Sequence, residues 1–206
     1  GWYTVFAQPY GIDRVDYIVS NRPVTRSYAK SDTRVKDVKM YPIYNDEEIT
    51  EDSKIEFIQV DEATALYYRD LFVHKLGTTT AESFYLMLID GKVNTAMGLS
   101  MRDVFTMKTE YIGEVFGISR SSKRYKRLGK LFMMCLTSGD MKRFLMAKYN
   151  FGIREPKGIQ TTSLTTYAEG KTDRSVMKLT HREILKNGQY RVIYKGDFRE
   201  DTYSDC

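Results

Sequence analysis

The run YIGEVFGISRSSKRYKRLGKLFMMCL, residues 111–136, decides how the chain is read. Its first part, Tyr111–Ile118, is rich in β-formers and reads as a strand. Its second part, Arg120–Leu136, carries Leu128, Phe132 and Cys135 at helical spacing and reads as a long helix. Between them Arg120, Lys123, Arg124, Lys126, Arg127 and Lys130 place six cations in eleven residues with no acid. On a helix, positions 120, 123/124, 127 and 130 would form one stripe able to neutralise several phosphates. The alternative is a solvated basic face.

Working outward, Ile55–Val60 reads as a strand, and Asp61 is an N-cap candidate for a helix over Glu62–His74, with Ala65, Tyr68, Leu71 and Phe72 on one face. Ser83–Ile89 and Lys92–Met101 flank Asp90-Gly91, a two-residue hairpin signal. Beyond the central run, Met141–Tyr149 is expected to be helical and Ile159–Tyr167 a strand. Thr180 and Glu183 have capping-box spacing for a short helix ending near Asn187-Gly188, and Gln189–Lys195 reads as a last strand. Residues 1–52 are punctuated by prolines and by the acidic turn Asn45-Asp46-Glu47-Glu48, with strand-like stretches at Trp2–Phe6 and Arg14–Val19. They are expected to form an N-terminal arm or small subdomain ahead of a domain over residues 53–206.

Charge is segregated. Residues 120–195 hold 18 Lys+Arg against 5 Asp+Glu, whereas the rest of the chain holds 14 against 22. That asymmetry makes an anionic partner, DNA first, the expected one. No run of 18 apolar residues occurs, so no membrane-spanning helix is expected. Two cysteines, Cys135 and Cys206, and two histidines far apart supply neither a disulfide framework nor a His- or Cys-based metal site. A reducing cytoplasm is the expected compartment. A homodimer is left open.

The element order β-α-β-β-β-α-(α)-β-α-β, with the basic turn before the long helix, resembles the GNAT acyltransferase fold. Within it the chain is similar to phage Mom-type DNA-modification proteins over about Phe57–Tyr194. The resemblance rests on His74-Lys75 at the end of the first helix, Glu114 in the strand after the hairpin, Thr166-Tyr167-Ala168-Glu169 closing a later strand, and Ser175-Val176-Met177-Lys178 beyond a polar loop. The chain departs from the pattern at Lys75, where an aromatic is usual, at Glu169 for Asp, and at Met177 for Tyr.

The resemblance implies a mixed, largely antiparallel central sheet flanked by helices. It also implies transfer of an acyl or acyl-derived group to the exocyclic amine of adenine in DNA, in a bacterial host cell. Glu169 would accept the proton, His74 would assist, and Glu114 would stand behind them. The pyrophosphate loop of the superfamily, Gln/Arg-x-x-Gly-x-Gly/Ala, finds its nearest frame at Lys126–Leu131, so Lys126, Gly129 and Lys130 are the cofactor-binding candidates for acetyl-CoA or another acyl donor. Arg120, Lys123, Arg124, Arg127, Tyr167, Lys171, Arg174 and Lys178 are the nucleic-acid candidates. Two other readings stand beside this one: a conventional CoA-dependent N-acetyltransferase, and a GNAT-like module that binds nucleic acid without catalysis.

Overall fold

The computed structural model describes residues 3–9, 15–20, 38–72, 81–152, 155–166 and 173–206. Strands β1 (Tyr3–Pro9) and β2 (Val15–Ser20) form an antiparallel pair of their own. The main sheet contains β3 (Ile55–Val60), β4 (Ser83–Ile89), β5 (Lys92–Ser100), β6 (Tyr111–Ser119), β7 (Gly158–Thr165), β8 (Asp173–Arg174), β9 (Met177–Ile184) and β10 (Tyr190–Asp197). Its order is β3-β4-β5-β6-β7-β10-β9-β8, and every pairing is antiparallel except β6 with β7. The mixed, mostly antiparallel sheet implied by the resemblance is therefore present.

Alternation along β4 explains the layers. Tyr85, Met87 and Ile89 point to one face, where they meet α3 (Leu128–Leu136) and α4 (Gly139–Lys148). Phe84, Leu86 and Leu88 point to the other, where α1 (Glu62–Leu71) covers them with Ala65, Tyr68 and Leu71. Each large side chain so buried contributes roughly 1.5–3 kcal/mol. Asp61 caps α1 as expected, its Oδ1 accepting from the Thr64 N–H at 2.7 Å. The hairpin between β4 and β5 turns on Asp90 and Gly91, both at positive φ (50° and 74°), the geometry of the tight turns that suit twisted strands.

Three expectations give way. The helix foreseen from Arg120 starts only at Leu128, and 120–127 is loop. Arg127, the N-cap, offers no side-chain acceptor to start a turn earlier, so the cations form no helical stripe. The Thr180/Glu183 spacing caps no helix: 177–184 is β9, because pairing with β10 satisfies its backbone and Glu183 meets Arg191 across the ladder. His181 is thus an exposed strand residue. A four-residue helix, α2 (Arg102–Phe105), was not foreseen.

The acidic stretch 45–48 is no free linker either. Pro42 and Tyr44 bond to Val93 through backbone groups, Tyr44 is buried, and Tyr41 N–H donates to the Tyr68 hydroxyl. Among the described residues, no helix is long and apolar enough to cross a membrane.

Candidate active site

The sheet is built to open at one place. β6 and β7 pair in parallel from Tyr111↔Gly158 to Glu114↔Thr161, then stop, although the strands continue to Ser119 and Thr165. The cause lies on the other edge of β6. Leu99 pairs with Glu114 but Gly98 pairs with Phe116, so Val115 is an extra residue, a β-bulge. Beyond it β6 follows β5 and leaves β7, and Phe116 turns to the α1 face.

Glu114 sits at the last paired position of this seam, 6% exposed. Burial pushes its carboxyl above the ordinary carboxylate value, while the Arg174 charge and a hydrogen bond from Thr161 pull the other way. Arg174 reaches the seam from β8, donating from Nη1 to Thr161 Oγ1 at 3.2 Å and Ser163 Oγ at 3.1 Å. The side chains form a relay: arginine to threonine, threonine to glutamate. Gly117 leaves the room this requires. A Cβ there would strike Glu114 Oε1 and come within 2.6 Å of the Phe132 ring.

Two cavities of opposite chemistry lie near the seam. On the α3 face a cavity of about 490 Å³ is walled by the 117–122 stretch, Tyr125, Lys126 and the first turn of α3, with Arg174 on its far side. Its lining contains three cations, Arg120, Lys126 and Arg174, and no acid. A second cavity of about 310 Å³ is lined by Ser100, Asp103, Gly113, Glu114, Val115, Gln160 and Thr162, with two acids and no cation.

The residues on the α3 side could hold an anionic group such as a phosphate. The first N–H groups of α3 have no intrahelical acceptor, since the backbone bonds begin with Lys130 and Leu131 to Arg127. At Gly129 a Cβ would meet nothing within 4 Å, which leaves the approach to the helix end clear. With α3 beginning at Leu128, the pyrophosphate motif fits better read two residues earlier, from Arg124 to Gly129, with Arg127 where the first glycine would stand. The helix start supplies this frame; the residue string alone did not.

The expected residues separate. Glu114 lies at the seam, Arg174 reaches it through Thr161, and Arg120, Lys126 and Gly129 line the cationic cavity with Arg174. Lys130 and Arg127 are exposed beside it, outside the cavity lining. Arg124 pairs with Glu48 at 2.8 Å and lies against the Tyr125 ring. Lys123 is exposed, and Lys178 is exposed on β9, outside both cavities. His74, Tyr167, Glu169 and Lys171 lie outside the described residues. Sequence reasoning missed Thr161, Ser163, Gln160 and Asp103. The only signal for the first two was a polar pair continuing the face on which Ile159 is buried.

A family model for the phage GNAT-like domain matches residues 52–206. No curated protein and no solved structure matches the chain.

Proposed function

We propose that this chain, which belongs to the phage GNAT-like domain family, transfers an acyl group from a phosphate-bearing donor on the α3 side of the seam to an amine on the other side. The family makes it an acyltransferase-like module; the roles below are our reading. What carries it is the pair of cavities, one lined by cations and one by acids: Glu114 lines the acidic one, and Arg174, which lines the cationic one, reaches it through Thr161. A thioester of coenzyme A would supply the activated carbonyl. The N–H groups of Leu128 and Gly129, with Arg120 and Lys126, would hold its phosphates. With the donor bound, the amine would attack the carbonyl, the C–S bond would break and coenzyme A would leave as its thiolate, to be protonated from solvent. Glu114 would take the proton that the amine must lose, and Arg174 with Thr161 keeps the carboxylate oriented.

For the acceptor we propose the exocyclic amine of adenine in DNA, as the Mom-type resemblance suggests. Gln160 in the acidic cavity offers the amide that pairs with adenine's N6/N7 edge. The base would have to leave the stack to reach it. Mass spectrometry of nucleosides from cells expressing the protein tests this: a shifted deoxyadenosine is the expected result. Unchanged nucleosides, with acetyl-CoA still consumed when amines are supplied, would favour the conventional N-acetyltransferase, a reading supported by the same cationic cavity.

Two binding predictions follow from the geometry. Gly129→Asp should weaken CoA binding at least ten-fold by calorimetry, whereas Gly129→Ala should not. An acid in the first turn of α3 suits the helix, so folding survives while the anion is repelled. Lys123 and Arg127 are exposed, and among the described residues neither has a recorded ion pair. Replacing both with Ala should lower the salt-dependence slope of DNA binding by about two. An unchanged slope removes this loop from the DNA contact.

A further inference from the structure

Residues 120–122, 125 and 126 wall the cationic cavity, yet the 120–127 loop has little of its own to hold it. Among the described residues, none of the N–H groups of 121–127 reaches a backbone carbonyl. What the loop has instead is a set of contacts to 45–49, a segment that precedes the family-matched domain. Asn45 Oδ1 accepts from Arg120 Nη2 at 3.0 Å, and Asp46 Oδ2 accepts from the Lys123 N–H at 3.0 Å. Glu48 pairs with Arg124 at 2.8 Å, and the Tyr125 hydroxyl accepts from the Ile49 N–H at 2.9 Å. Four of the six residues 120–125 are thus tied to four of the five residues 45–49.

The strap is itself anchored. Tyr44 is 1% exposed and bonds to Val93, its hydroxyl donates to the Glu47 carbonyl at 2.6 Å, and Glu47 pairs with Lys92 at 2.6 Å. Asp46 accepts the Lys123 N–H at Oδ2. The Ser122 hydroxyl first, then the N–H groups of Lys123 and Arg124, hold it below the usual carboxylate range. The five cations of residues 120–127 repel one another, which opposes the closed arrangement of the loop.

We infer that residues 45–49 are a working part of the donor site, and that Asp46 is the positioning residue that presets the 120–125 wall for the donor's phosphates. The inference rests on the phosphate-site reading above. It gives the acidic strap a role the family-matched domain does not contain: a built-in hydrogen-bond acceptor that orders the loop and leaves Arg120 and Lys126 on the cavity side. The opposite role, an anion competing with the ligand, predicts the opposite sign.

The test uses the full chain with Asp46→Ala and Asp46→Asn, read by amide hydrogen exchange over 120–125 and by calorimetry with CoA. Asn keeps an acceptor oxygen for the Lys123 N–H, whereas Ala removes it. The expected result is at least ten-fold faster exchange and ten-fold weaker CoA binding for Asp46→Ala, with less than three-fold change in either for Asp46→Asn. Circular dichroism should show both variants folded. If Asp46→Ala does not fold, Asp46→Gly carries the test: it removes the acceptor and suits the positive φ of 62° at this position, and the same ten-fold losses are expected. Unchanged exchange overturns the inference whatever CoA does, and faster exchange with unchanged or tighter CoA binding also overturns it. A wild type that binds no CoA overturns the phosphate-site reading, and this inference with it.

Discussion

Glu114→Gln is expected to lower acyl transfer by about two to four orders of magnitude, the usual scale for removing a general base. CoA binding should stay within a few-fold of wild type. Gln keeps the shape of Glu and a carbonyl oxygen for the Thr161 hydroxyl, and Arg174 keeps Thr161 and Ser163. The loss should therefore be chemical rather than structural. The pH profile carries the sharper evidence. Burial raises the carboxyl above its ordinary value of 4.5, so the acid limb of the transfer rate should lie above that value and vanish in the variant.

Stability should move the other way. A folded-state value above the unfolded one means that the folded protein holds the proton more tightly. Wild-type stability contributed by this group is then lost as pH rises from the ordinary value through the raised one, while Gln, which does not titrate, shows no such loss. Thermal melts of both proteins across that window check the sign. Transfer by Glu114→Gln at the wild-type rate would sink the base assignment and bring Glu169 and His74 forward.

How much of this was legible in the residues depends on the range of the interaction. Asp61, Asp90-Gly91 and the Ala65/Tyr68/Leu71/Phe72 face act within a turn or two of chain, and each was readable and is where it was expected. The 120–127 stretch misled for the same reason. Its spacing is helical, but what shapes it is a strap some 75 residues away. Thr180 and Glu183 had local capping chemistry, and the β10 ladder overrode it.

The site lies at the far end of that scale. Glu114 was singled out through the resemblance and not through periodicity, and it was given a supporting role. Its burial depends on a bulge set by β5, and its partners come from 47 and 60 residues further along the chain. The opposite polarities of the two cavities are a property of the seam. No window of sequence contains both walls.

Gly158→Ala is expected to be the most damaging Gly→Ala change among the described residues. Gly158 opens β7, pairing with Tyr111 on the parallel side and Asp197 on the antiparallel side. A Cβ there would overlap the Gly196 carbonyl oxygen and come within 2.8 Å of Asp197 Cα and 2.9 Å of the Gly196 carbonyl carbon. All three atoms are backbone, so no rotamer change relieves the clash; β10 must move away from β7. Overpacking of this kind costs about 1–3 kcal/mol even where side chains can give. With backbone on the other side, about 3 kcal/mol or more is expected, a fall in Tm of roughly 6–12 °C for a chain of this size. Gly129→Ala is the internal control. It adds the same methyl to open space within a helix, where Ala is favoured over Gly by about 1 kcal/mol, so its Tm should hold or rise. The two changes also separate stability from function. Shifting β10 moves Thr161 and Ser163, which sit on the strand it pairs with, and through them Arg174 and Glu114. Gly158→Ala should therefore lose transfer activity even at temperatures where it is folded. A Gly158→Ala protein with wild-type Tm and activity would mean that β7 and β10 have slack at their ends, and that the seam is held by α3 rather than by the sheet.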